Sequence, residues 1–174
     1  EPSKGAVGRT LQNLAAAGRS PLFDLVEADL AEHSLDDVLG GVDGAFHLAG
    51  QAGVRDSWGP SFESYVRHNV VAAQRLLEAA ARARVRVVVA STSSVYGDAA
   101  AHPTSEDAVP RPISGYGVTK LACEHLVFAY ARSLRLDAVI LRYFSVYGPR
   151  QRPDMAFARV VDSLRASRPF DVYG

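Results

Sequence analysis

Four short runs of β-branched and aromatic residues punctuate the chain: Phe23 to Asp29, Gly44 to Ala49, Val85 to Ser91 and Ala138 to Tyr143. Their length and their flanking turn-forming residues predict strands. Between the second and third runs, Tyr65, Val66, Asn69, Val70, Ala73, Leu76, Leu77 and Ala80 recur at helical spacing, which predicts a helix from Phe62 to Ala83. Between the third and fourth, Val118, Leu121, Ala122, His125, Leu126, Ala129 and Tyr130 predict a second helix, Ser114 to Ser133, with this set on one side. Pro112 disfavours helix before it and Ser114 supplies a cap. The breaker-rich stretch Gly148 to Pro153 reads as a linker, and Asp154 to Ala166 as a further helix. Strand alternating with helix predicts an α/β fold with a parallel sheet and helices on both faces. Ligands of such sheets bind beyond the carboxyl ends of the strands. Those ends read Asp29-Leu30, Leu48-Ala49-Gly50-Gln51, Ser91-Thr92-Ser93-Ser94 and Tyr143-Phe144-Ser145.

Composition narrows the classes of function. At 174 residues, 48% hydrophobic and 22% charged, the chain reads as globular. Nineteen basic and nineteen acidic residues cancel, so no electrostatic footprint for nucleic acid or an anionic membrane is expected. Apolar stretches such as Val87 to Ala90 are too short to span a bilayer, and no signal peptide is visible. Cys123 is the single cysteine, and the five histidines show no metal-ligand spacing, so no metal site is expected. The expected location is cytoplasmic.

The segment Ser114-Gly115-Tyr116-Gly117-Val118-Thr119-Lys120 carries the chemistry. Tyr116 and Lys120 are four apart, so on a helix they share a face. A phenol is a poor base near neutrality, but a neighbouring ammonium favours the phenolate and suits it to taking a hydroxyl proton. Thr92 follows a buried-looking strand, with Ser93 and Ser94 beside it, and can donate to a substrate oxygen while Tyr116 takes the proton.

The runs Ala90-Ser91-Thr92-Ser93-Ser94-Val95-Tyr96-Gly97, Tyr116 to Lys120 and Leu141 to Gly148 resemble the extended short-chain dehydrogenase/reductases. Within them the chain is most similar to the nucleotide-sugar epimerase/dehydratase group, with further matches at His47 to Ala52, Tyr65 to Val70 and Arg150 to Ala156. The resemblance implies a Rossmann-like, doubly wound parallel sheet, present in part, and the start of a smaller substrate domain. Residues 1–149 would belong to the NAD-binding domain and 150–174 to the substrate-binding one. It implies NAD as cofactor, with Tyr116 as base, Lys120 holding the nicotinamide ribose and Thr92 bonded to the sugar hydroxyl. Asp29 and Leu30 would meet adenine, Leu48, Ala49, Gly50 and Gln51 the phosphates and ribose, and Tyr143 and Phe144 the nicotinamide, with Asn69 behind the site. Ser93, Ser94, Ser145 and Arg152 would contact the sugar nucleotide. The helices bearing Asn69 and Tyr116 match those that form a homodimer interface.

Two departures refine the expectation. The 4,6-dehydratases follow the catalytic hydroxyl with Asp-Glu, whereas Ser93 and Ser94 cannot act as an acid/base pair near neutrality. The decarboxylases usually have Glu where Ser94 stands. Three hydroxyls, Ser145 and Arg152 resemble the uronate-acting 4-epimerases, so C4 epimerisation of UDP-glucuronate leads, ahead of UDP-glucose. A dehydratase or decarboxylase is the alternative, and a non-catalytic nucleotide-binding protein of the same fold is the alternative of another class. The glycines Gly5 and Gly8 do not form a dinucleotide loop, since no strand precedes them and Leu11 stands at the third glycine. The resemblance therefore places the glycine-rich loop, and the residue selecting NAD over NADP, upstream of Glu1.

Overall fold

A computed structural model of the chain describes residues 14–15, 17–99 and 101–170. They divide into two units, one spanning Ala28–Phe144 and one made of the described residues on either side of it. Gly5, Gly8 and Leu11 lie outside the described residues.

The first unit is built on a parallel sheet of three strands, β1 (Gly44–His47), β2 (Arg86–Thr92) and β3 (Ala138–Tyr143), in the order β1-β2-β3. Register places Phe46, Val88 and Val139 in one lateral row, and His47, Val89 and Ile140 in the next. Successive side chains of a strand face opposite sides, so these rows face opposite ways. The short helix α1 (Asp36–Leu39) precedes β1. Helix α2 (Phe62–Val66) runs through a π turn, Arg67–Val71, into α3 (Ala72–Ala83), and α4 (Gly115–Leu134) links β2 to β3.

Helix α4 starts where its cap predicts: the Ser114 hydroxyl accepts from the Gly117 amide at 3.0 Å. Helices α3 and α4 end on Arg84 and Arg135, both at positive φ (58° and 57°). Such left-handed caps usually employ glycine, and without that signal the sequence could not mark the ends sharply.

Helix α3 packs on α4, and both cover the face of β2 bearing Val87 and Val89. Ala73, Leu77 and Ala80 of α3 and Cys123 and Val127 of α4 complete the core, with Leu35, Leu39 and Leu136 at its margin. Alanine on the inner face of α3 lets helix and sheet approach closely.

Three expectations change. Phe23 to Asp29 forms no strand, although the other three runs do. No ladder pairs with it among the described residues, and its end closes instead into a turn where the Asp29 carbonyl accepts from Glu32 and His33. Helices on both faces were expected, yet within this unit both long helices lie on one. Two crossovers of one hand, running the same way along a sheet, deliver their helices to the same side, and Phe46 on the other face stays 76% exposed. The buried side of α4 is also not the apolar set read from the sequence. Thr119, Lys120, Cys123, Glu124 and Val127 turn inward, while Val118, His125 and Ala129 are exposed. Ser91 and Arg142 hold the Glu124 carboxylate inside, which periodicity of apolar residues cannot register.

In the second unit, α5 (Ala156–Arg165) matches the expected helix at 154–166. The Tyr147 and Phe157 rings lie 5.0 Å apart, and the Arg159 guanidinium sits over Phe170.

Candidate active site

Of the four ends read from the sequence, the 48–51 loop after β1 and the Asp29–Leu30 turn line neighbouring cavities, and the end of β3 lines another. Beyond β1, the backbone of Gln51 is held from below by Asn69, whose Oδ1 accepts from the Gln51 amide (2.7 Å) and whose Nδ2 donates to its carbonyl (3.0 Å). Asn69 also donates to Thr119 Oγ1 at 3.0 Å, and the Thr119 hydroxyl donates to the Tyr116 carbonyl at 2.9 Å. One side chain thus ties the loop after β1 to helix α4. The π turn carrying Asn69 is a local widening often found at functional sites. A Cβ on Gly50 would collide with Asn69 Oδ1, so the loop needs glycine there to lie this close.

A cavity of about 90 Å³ is lined by Leu48, Ala49, Gly50, Gln51, Asn69, Ser91, Tyr116 and Lys120, among others. A second, of about 320 Å³, continues from Ala49–Gln51 to Asp29 and Leu30. The two share Ala49, Gly50 and Gln51, and we treat them as one trough beyond β1. Tyr143 and Phe144 instead line a separate cleft of about 490 Å³ with Tyr96, Glu106 and Arg142. Thr92 caps the turn Ser93–Val95, accepting from the Ser94 amide and donating to the Ser94 hydroxyl, both at 3.2 Å. Ser145 and Arg152 belong to the second unit, where Arg152 pairs with Asp154 at 2.9 Å.

The electrostatics differ from the simple tyrosine and ammonium picture. Burial pushes the Tyr116 phenol above its ordinary value, with Thr92 opposing the shift. Lys120, only 6% exposed, is pushed down by burial, with Cys123 and Glu124 opposing. Its ammonium bonds to no protein acceptor among the described residues, which leaves its donors for a ligand in the trough. Tyr65, whose hydroxyl donates to the Ala52 carbonyl, packs edge-on against Tyr116 at 6.3 Å. Asp29 is held below the ordinary carboxylate range, first by Arg67 at 2.7 Å and then by the Ala31 amide.

His47 lies beneath this site, 3% exposed, and its Nε2 is buried with no hydrogen-bond partner. Burial first, and the Lys120 charge second, lower its pKa to about 4 from 6.5. The unfolded chain then takes up this proton before the folded one does. Stability from His47 is full above pH 6.5 and falls as pH drops towards 4. Urea denaturation at about pH 5 should give roughly 2 kcal/mol less stability than at about pH 7.5. His47→Leu should flatten that slope, and an unchanged slope would exclude His47 as its origin.

Sequence reasoning missed Glu124, Arg142 and Tyr65. For Glu124 a signal existed: Tyr116, Lys120 and Glu124 stand at i, i+4 and i+8, one face of α4. The Arg142 partner comes from another strand and left no local trace.

The profile of the NAD dependent epimerase/dehydratase family matches residues 4–174. The chain belongs to this family. It is 45% identical over 167 residues to an uncharacterised UDP-glucose epimerase of Bacillus subtilis, covering 95% of this chain and 52% of that one. A dTDP-glucose 4,6-dehydratase of Streptomyces niveus is 33% identical over 183 residues (99% and 54%). Among solved structures, UDP-glucuronic acid 4-epimerase of Bacillus cereus, in complex with UDP-glucuronic acid and NAD, superposes with TM-score 0.89 at 40% identity, covering 97% of this chain and 54% of that one. The chain thus spans about half the length of these epimerase/dehydratase relatives. The parallel sheet with its helices is Rossmann-like, as in those structures. Among the described residues, no helix is long and apolar enough to cross a membrane.

Proposed function

We propose that this chain carries the catalytic centre of an NAD-dependent nucleotide-sugar 4-epimerase, with UDP-glucuronate as the leading substrate and UDP-glucose second. The observation that carries this reading is the convergence of Tyr116, Lys120, Asn69 and the 48–51 loop on one cavity, with Thr92 against Tyr116. The trough suits an extended dinucleotide: small residues line it, and the buried ammonium of Lys120 faces it without an acceptor among the described residues. NAD, when bound, supplies reversible acceptance of the C4 hydride.

The chain's own residues do the rest. Tyr116 takes the proton of the sugar 4-hydroxyl as the C4–H bond breaks, and returns it after the sugar has turned its other face. Thr92 donates to that same oxygen and keeps it in line. Lys120 holds ribose hydroxyls and sets the charge beside Tyr116. Asp29 and Leu30 border the adenine end of the trough; Tyr143 and Phe144, which line the separate cleft, are assigned to the nicotinamide by the family resemblance. Ser93 and Ser94 offer hydroxyls to a sugar carboxylate but no acid/base pair for elimination, which separates this chain from the dehydratases. The family resemblance assigns Ser145 and Arg152 to the sugar nucleotide as well. Residues 1–149 belong to the cofactor domain and 150–174 begin the substrate domain. The protein acts in the cytoplasm as a homodimer through the helices bearing Asn69 and Tyr116; exposed Val71 and Val118 on those helices support this.

The test is chromatography of UDP-glucuronate incubated with the complete protein and NAD. UDP-galacturonate is the expected product. Conversion of UDP-glucose alone would move the substrate assignment. A 4-keto-6-deoxy sugar or released carbon dioxide would replace epimerisation by dehydration or decarboxylation.

A further inference from the structure

We propose that Glu124 is a positioning residue for this site, fixing β2 and β3 to the helix that carries Tyr116 and Lys120; the proposal rests on the epimerase reading. Glu124 is 1% exposed, one turn beyond Lys120 on α4. The Ser91 hydroxyl donates to its Oε1. Arg142 donates to the same oxygen from Nε (3.1 Å) and to Oε2 from Nη2 (2.8 Å). Ser91 and Arg142 are register partners on neighbouring strands, so their side chains face α4 together. The next residues along, Thr92 and Tyr143, are the next register pair. One carboxylate therefore sets how far two strand ends lie along the helix, immediately before both turn into site residues. Arg142 extends the hold to the following loop through the Tyr96 hydroxyl (3.0 Å) and the Glu106 carbonyl (3.1 Å).

Stability alone does not explain a charge pair here. Desolvation offsets most of the attraction between buried ions, and apolar groups of similar volume often hold a core as well. Apolar side chains fill space without dictating register, whereas directional bonds from Ser91 and Arg142 to one carboxylate do dictate it. A displacement on the order of 1 Å between base and reacting hydroxyl costs about 100-fold in rate, so the Thr92 to Tyr116 spacing is where such control matters.

The test compares Glu124→Gln, the apolar double variant Glu124→Met/Arg142→Met, and Ser91→Ala in the complete protein. For each, kcat and KM, NAD affinity by calorimetry, and denaturant stability are measured. Positioning predicts that the apolar pair keeps near wild-type stability and NAD affinity while kcat falls at least about tenfold with little change in KM. Ser91→Ala, which leaves the ion pair intact, should lower kcat in the same sense, and it decides the matter where Glu124→Gln does not fold. Wild-type kcat in the stable apolar pair, or in Ser91→Ala, overturns the proposal and leaves the epimerase reading standing. A wild-type protein that converts no nucleotide sugar overturns both.

Discussion

Tyr116→Phe is expected to lower kcat for nucleotide-sugar epimerisation by about 1,000-fold while the protein stays folded. The phenol lines the trough, and its ring rests edge-on against Tyr65. Phenylalanine keeps that ring contact and removes only the group that moves the proton. Stability within roughly 1 kcal/mol of wild type is therefore expected, because no neighbour loses its sole buried partner. Burial raises the Tyr116 pKa before a ligand is bound, so the phenolate is scarce at neutrality and kcat/KM should rise with pH on the alkaline side. The phenylalanine variant should lose that rise along with the rate. Activity within tenfold of wild type would remove Tyr116 from its proposed role.

Arg142→Ala should be the most destabilising of the substitutions considered, by about 3–5 kcal/mol in urea denaturation at neutral pH. Its loss strands a Glu124 carboxylate that is 1% exposed and left with the Ser91 hydroxyl. The Glu124 hydrogen bonds raise the Arg142 pKa above its ordinary value against the opposing effect of burial. The guanidinium thus stays charged across the working range, and the effect should vary little with pH on its account. Alanine also vacates the place where the guanidinium lies over the Tyr96 ring. Replacing Glu124 as well, by methionine, should recover much of the loss, which identifies the orphaned charge as its source. A loss under about 1 kcal/mol would mean that water reaches Glu124 freely once Arg142 is gone.

Much of the architecture was legible in the chain. Val85 to Ser91 and Ala138 to Tyr143 read as strands because β-branched runs that short have few alternatives, and both are strands within a residue of the expected bounds. Ser114 marked the start of α4 through its hydroxyl. Phe23 to Asp29 misled because strand propensity measures fit to a pleated surface, and no neighbouring strand pairs with it here. The π turn at Arg67–Val71 was invisible, since the apolar spacing from Tyr65 to Ala80 reads across it as one continuous helix. Tyr116, Lys120, Asn69 and the 48–51 loop were named one by one from motifs, and they meet at one cavity.

By itself the sequence determined the alternation of β1, β2 and β3 with the helices between them, the face shared by Tyr116 and Lys120, and the hydroxyls at the end of β2. These are local properties, set by period, capping and spacing. Only the tertiary structure decided which side of α4 turns inward, that Asn69 grips Gln51, and that Glu124 meets Ser91 and Arg142 from two strands. Those contacts join residues 18 to 50 positions apart. They depend on strand register and helix approach, and a one-dimensional pattern carries neither.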